Sequence, residues 1–188
     1  MSPAHGSAEP SDWVQRWAHL IAPGGTVLDV ACGSGRHMAY LAQRGHAVTG
    51  IDRDADALAS ATAHGTVVAA DIENGPWPLA GQTFDAVVVT NYLWRPLWPQ
   101  ILSSVKPSGV LIYETFAHGQ ERWGRPSRPE FLLQPGELLR VCADWHTAAY
   151  EHGVLSGPTR FVQRIVVMPS PALGAQSLEC TFPVSKSR

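Results

Sequence analysis

Residues 27–37 read VLDVACGSGRH. Val27, Leu28 and Val30 flank Asp29 in a short apolar run that suits a buried strand. The run ends in Ala31-Cys32-Gly33-Ser34-Gly35, a turn with almost no side chains, and a helix-like segment starts near Arg36. Strand, bare turn and helix in that order predict a unit whose turn lets a ligand lie directly on the backbone. The N–H groups at the start of the helix are open to that ligand.

The flanking sequence repeats the alternation. Residues 13–21 (WVQRWAHLI) space apolar groups as a helix does, with Ser11 or Asp12 as the cap and Pro23-Gly24-Gly25 as the stop. After the central turn the helix is expected to run to about Arg44, with Gly45 at its end. Residues 46–52 predict a second strand ending in Asp52, 54–64 a helix, 66–72 a third strand, and 84–91 a fourth, continuously apolar strand. A helix is expected at 96–105, a turn at Pro107-Ser108-Gly109, and a fifth strand at 110–116. Residues 117–136 have no period and several Pro and Gly, which reads as a long loop of functional origin. A helix at 136–145 is followed by HTAAYEHGV and RFVQRIVVMP, a terminal antiparallel hairpin joined near Ser156-Gly157-Pro158. Five alternations of strand and helix predict a doubly wound α/β domain on a mostly parallel sheet, with ligands at the carboxyl ends of the strands.

At 188 residues the chain suits one domain, expected over 11–168, with a flexible start at 1–10 and a loose tail at 169–188. No apolar stretch approaches a membrane span, and MSPAHGSAEPSD lacks the features of a secretory signal. Cys32, Cys142 and Cys180 are far apart, which argues against disulfides or a metal site and for a reducing, cytoplasmic setting. The net charge of −2 disfavours nucleic acid as a partner.

The ligand of the central turn can be narrowed by chemistry. A nicotinamide fingerprint needs Gly or Ala where this chain has Met38. Asp29, beside the turn, would repel a pyrophosphate and attract a cation. S-adenosylmethionine, a sulfonium with an ammonium and no phosphate, fits. The pattern from Val27 to Gly35 resembles motif I of the class I S-adenosylmethionine-dependent methyltransferases, with Ala31 in place of the first Gly. The compact length resembles the bacterial tellurite-resistance type that acts on small molecules. The resemblance implies a Rossmann-like sheet of seven strands in the order 3-2-1-4-5-7-6, with the last hairpin antiparallel. It also implies cofactor contacts from Asp29, Ala31, Cys32, Gly33 and Gly35, and from Arg36 or His37 at the methionine carboxylate. Asp52, beside Arg53, suits the ribose diol, since one carboxylate can take two hydroxyl hydrogens. Asp71 is expected at the exocyclic amine of the adenine, Ile72 on a ring face, and Asn91 at the methionine moiety.

The acceptor side is less specific. Methyl transfer is an in-line displacement in which alignment and exclusion of water matter most. A base is needed only for an acceptor that carries a proton. Glu114, His118 and Tyr92 are the candidates. Trp94, Arg95, Arg122, Trp123 and Arg125 are expected near the acceptor, and Trp13 and Trp17 at the same mouth. The spacing of Trp94 and Trp98 predicts one buried helix face. Thr90-Asn91-Tyr92-Leu93 lacks the prolines of amino-directed nucleic-acid methyltransferases. The expected function is methyl transfer to an O, N or S atom of a small molecule, releasing S-adenosylhomocysteine. The alternatives are an RNA or protein methyltransferase, or a non-catalytic partner subunit that keeps the fold.

Overall fold

The structure, a computed structural model, describes residues 9–170; most of both expected tails, and Cys180, lie outside the described residues. Seven strands form one sheet in the order β3-β2-β1-β4-β5-β7-β6, the order expected. They are β1 (Thr26–Val30), β2 (Ala47–Asp52), β3 (Thr66–Ala69), β4 (Phe84–Thr90), β5 (Val105–Phe116), β6 (Trp145–Leu155) and β7 (Arg160–Pro169). The first five pair in parallel, and β7 runs antiparallel between β5 and β6.

Strand alternation sorts the core into two layers. Val27, Ala86, Val88, Val110, Ile112 and Val166 face three short helices, α1 (Asp12–Trp17), α2 (Arg36–Ala42) and α3 (Ala55–Ala61). Leu28, Val87, Val89, Leu111, Tyr113 and Ile165 face α4 (Trp98–Ser103) and α5 (Glu137–Val141). None of the helices among the described residues is long and apolar enough to cross a membrane.

Several boundaries differ from the sequence reading, each for a local reason. The first helix stops at Trp17 and tightens into a 3-10 turn at Ala18–Leu20 before the Pro-Gly-Gly stretch. The third strand ends at Ala69, because Asp71 turns back to cap its own loop through Glu73 N–H and Asn74 N–H. Pro96 and Pro99 break the expected 96–105 helix into a 3-10 turn and α4. Trp94 is therefore extended (φ −139°, ψ 100°) and shares no helix face with Trp98, which opens α4. Pro107-Ser108-Gly109 is absorbed into β5 as an irregularity, where pairing jumps from Phe84↔Val105 to Ala86↔Val110. The last expected helix shrinks to α5.

Gly50 in β2 is where the turn after β1, α2 and the sheet meet. A Cβ there would fall on Met38 Sδ and within 2.7 Å of Cys32 Sγ. Met38 is fully buried, so making room means repacking its side chain among its neighbours. Gly50→Ala should therefore cost about 1–3 kcal/mol. Urea unfolding of the purified variant measures this, and wild-type stability would show that the two sulfur side chains can repack.

Candidate active site

The turn after β1 is held in left-handed backbone. Ala31 has φ 55°, Gly33 53° and Gly35 81°. Glycine tolerates this freely, whereas Ala31 carries a strain of about 1–2 kcal/mol. The turn is pinned from β2: Cys32 N–H donates to Ile51 O at 3.0 Å, and Gly33 N–H donates to Asp52 Oδ2 at 2.8 Å. Asp52 Oδ1 also accepts from Asp54 N–H at 3.0 Å. One carboxylate thus ties the exit of β2 to the turn after β1.

A cleft of ≈ 190 Å³ opens beside this junction. Ala31, Asp52, Arg53, Ala70, Asp71, Ile72, Glu73 and Tyr92 line it, so strand ends β1 to β4 all contribute. Ile72 is buried and Asp71 exposed. Arg53 Nη1 lies 3.9 Å from the Glu73 carboxylate. The Tyr92 hydroxyl is buried without a well-formed hydrogen bond, and burial together with Glu73 pushes its pKa up.

A second cluster lies behind the turn. Asp29 is 1% exposed, and its Oδ2 has no hydrogen-bond partner. His37 Nδ1 stands 4.0 Å from that oxygen. His37 Nε2 accepts from Ser11 N–H at 3.1 Å, so Nδ1 carries the hydrogen, with Thr90 Oγ1 3.4 Å away. Both His37 nitrogens are therefore engaged within the protein. Arg36, half-buried, senses both Asp29 and Glu114, and Arg36 Nη1 donates to Glu9 O at 3.2 Å. Asn91, at φ 54°, turns the chain out of β4 and is exposed.

The acceptor-side candidates are scattered. Glu114 is fully buried; its Oε1 accepts from Ser11 Oγ at 3.0 Å and its Oε2 from Arg164 Nη1 at 3.1 Å. A carboxylate paired in this way is a poor base. Arg95 binds Glu137 bidentately at 2.7 and 2.9 Å and donates to Glu130 O and Leu132 O at 2.8 and 2.9 Å. Its guanidinium clamps the long loop instead of facing an acceptor. Trp94 is half-buried against the core. Trp13 is fully buried, with its indole N–H 3.4 Å from Ile165 O, so it packs α1 onto the sheet and does not close the mouth. Trp17 stacks edge-on against Trp13. His118, Arg122 and Arg125 are exposed, and Trp123 is 56% exposed. Among the described residues no group of three or more His, Cys, Asp or Glu is placed to hold a metal ion.

Sequence reasoning missed Ser11 as an anchor, Arg164 as the partner of Glu114, and Glu73 as part of the cleft wall. It also missed Gln120, a buried side chain that accepts from Phe161 N–H at 2.8 Å. The available signal was polarity in an apolar strand: Gln163 and Arg164 interrupt RFVQRIVV, and such buried groups need partners.

Residues 27–109 match the family model described as "Methyltransferase domain". TehB from Haemophilus influenzae superposes with a TM-score of 0.67 at 20% identity, over 90% of this chain and 63% of that one. A TehB-like SAM-dependent methyltransferase from Corynebacterium glutamicum gives 0.62 at 20% identity, over 84% and 87%. Magnesium protoporphyrin IX methyltransferase from Synechocystis, solved with bound SAH, gives 0.62 at 18% identity, over 84% and 78%. The chain thus spans 63% of the length of the TehB structure. At these identities the likeness is one of fold. No curated protein matches the chain.

The Asp29–His37 pair has a signature in stability. Burial pushes the Asp29 carboxyl up from 3.8 to about 7, opposed by Arg36 and reinforced by Asp52. Burial pushes His37 down from 6.5 to about 3, helped by Arg36. Folded Asp29 keeps a proton that the unfolded chain has lost, so its contribution falls as pH rises from 3.8 to 7. Folded His37 refuses a proton that the unfolded chain takes, so its contribution falls as pH drops below 6.5. The two slopes oppose each other. Asp29→Asn removes one, so its Tm should climb more steeply between pH 4 and 6.5 than that of the wild type. Parallel Tm curves for the two proteins would contradict the burial argument.

Proposed function

We propose that the chain moves a methyl group from S-adenosylmethionine to an O, N or S atom of a small molecule, a reading supported by the match of residues 27–109 to the methyltransferase domain model. The observation that carries this reading is one acid at each of three successive strand ends around the pinned turn: Asp29, Asp52 and Asp71. The orphaned, buried Asp29 oxygen suits an ammonium. Asp52, half-buried on the cleft wall, suits a ribose diol, and the cleft has no basic cradle for a pyrophosphate beyond the paired Arg53. We assign Arg36 to the methionine carboxylate in preference to His37, whose nitrogens are both engaged. Backbone at Ala31, Cys32, Gly33 and Gly35 would lie against the ligand, with Ile72 on the base and Asn91 beside the methionine moiety.

When bound, the sulfonium supplies an electrophilic methyl group. The protein's part is to align donor and acceptor and exclude water. Where the acceptor carries a proton, His118 is the group we assign to receive it, since Glu114 is locked to Arg164 and the Tyr92 phenol is hard to ionise. Trp123, Arg122 and Arg125 are then the side chains that meet the acceptor. Their exposure also favours a second reading, an RNA or protein acceptor; the short cluster and the net charge of −2 support the small molecule over it. The neighbour named for magnesium protoporphyrin IX supports a small acceptor too. Cys32 and Cys142 carry free thiols, which supports a reducing compartment such as the cytoplasm.

Calorimetric titration tests the reading. S-adenosylmethionine and S-adenosylhomocysteine should bind in the micromolar range and NAD should not. Asp52→Ala should weaken both by at least about tenfold, the scale of a lost charged hydrogen-bond pair plus the loosened turn. Failure of all three ligands to bind would move the chain to the non-catalytic partner reading.

A further inference from the structure

On the cofactor reading above, Asp52 marks the ribose, so the base lies toward Ile72 and some group must read its edge. The family resemblance places Asp71 at the exocyclic amine. In the structure that carboxylate is turned onto its own loop. Its Oδ1 accepts from Glu73 N–H at 3.0 Å and Asn74 N–H at 3.2 Å, and its Oδ2 accepts from the Asn74 amide at 2.9 Å. The polar group of the cleft wall with an unmet valence is the hydroxyl of Tyr92. A buried phenol oxygen whose lone pairs meet no donor is costly, and in a ligand cleft the missing donor is the ligand.

Tyr92 is also held rigidly. Its backbone carbonyl accepts from the Tyr113 hydroxyl at 2.7 Å. Tyr113 is 1% exposed and lies 5.0 Å, centroid to centroid, from the ring of Trp98. The left-handed backbone of Asn91 sets the direction in which the chain leaves β4. Beside the phenol stands Glu73, whose carboxylate is in turn near Arg53. Three strand ends, β2, β3 and β4, thus converge on one edge of the cleft.

A carboxylate can only accept, so the phenol hydrogen is drawn to it and the oxygen lone pairs are left for the cleft. We propose that Tyr92, oriented by Glu73, reads the adenine, accepting the exocyclic amine of the base on its hydroxyl oxygen. A base with a carbonyl oxygen at that edge sets acceptor against acceptor and is rejected.

The test compares S-adenosylhomocysteine with S-inosylhomocysteine, in which a carbonyl oxygen replaces that amine and N1 gains a hydrogen, by calorimetry on the intact protein. Wild type should prefer the adenine form by about tenfold or more, and Tyr92→Phe should shrink that ratio to about threefold or less. Glu73→Ala keeps the ring but removes the acceptor that holds the phenol hydrogen, and should narrow the ratio as well. Thermal melts confirm that both variants are folded. No preference in the wild type, or a preference that survives Tyr92→Phe, overturns the proposal and returns the amine to Asp71. Wild type that binds neither ligand overturns instead the cofactor reading on which the proposal rests.

Discussion

Three alternate residues, Ala31, Gly33 and Gly35, hold positive φ, and the surrounding elements are arranged to keep them there. An isolated loop would not stay in such a conformation. Here β2 supplies both pins, through Ile51 O and the Asp52 carboxylate. α3 supplies the backstop: a Cβ on Gly35 would stand 2.8 Å from Ala61 Cβ, so the turn rests directly on that helix. The ligand-facing backbone is therefore shaped by elements that follow it in the chain. Asp52 has two duties as a result, bracing the turn and facing the cleft, which is why its loss would be felt by any ligand lying on the turn.

A second constraint is electrostatic. Glu114 and Arg164 are both buried, and face each other across the β5–β7 pair. Burying such a pair repays its desolvation only when the remaining donors and acceptors are also met, and losing one partner of a pair like this costs about 3–5 kcal/mol. Here Ser11 Oγ meets Glu114, while Glu151 and Asp12 meet Arg164. The guanidinium also sits 4.7 Å over the Trp13 ring. Arg16 reaches Glu151 from the same helix at 2.9 Å. α1 is thereby tied to the sheet by charge as well as by Trp13 and Val14, and Ser11 carries the tie on to His37 behind the cofactor turn. This explains why Glu114, placed by its strand end where a base would be useful, belongs to the scaffold.

The parts of this molecule legible in the sequence are those governed by short-range rules. Strand, bare turn and helix at residues 27–42 follow from local composition, and the strand-end position of Asp52 follows from periodicity, whereas Asp71 falls in the loop past the end of β3. The strand order was legible only through resemblance, since spacing says nothing about which strands pair. The illegible parts depend on contacts between distant residues. Ser11 meets Glu114 and Arg95 meets Glu137 across the fold, and each pairing changes what the residue is free to do. Arg95, read alone, is a cation near a ligand; read with Glu137, Glu130 and Leu132, it is a clamp. Ala31 shows the same limit in miniature: its substitution for glycine is visible in sequence, but the strain it carries appears only once φ is known.

The two halves of the site differ in how their polar groups are used. Around the turn after β1, Asp29 and Tyr92 keep open valences in buried positions, in elements held on several sides. Toward β5 and the long loop the polar groups nearest the core are spent internally: Glu114 on Arg164, Arg95 on Glu137, and Gln120 on the backbone of Arg125 and Phe161. Those bonds fix both roots of the long loop and leave residues 121–125 exposed between them. A rigid, unsatisfied pocket suits a ligand that is always the same. An exposed loop rooted at both ends suits a partner whose chemistry the fold itself does not dictate. The division follows from where hydrogen bonds are closed and where they are left open, and on the proposed function it accounts for a cofactor that is readable from the residues and an acceptor that is not.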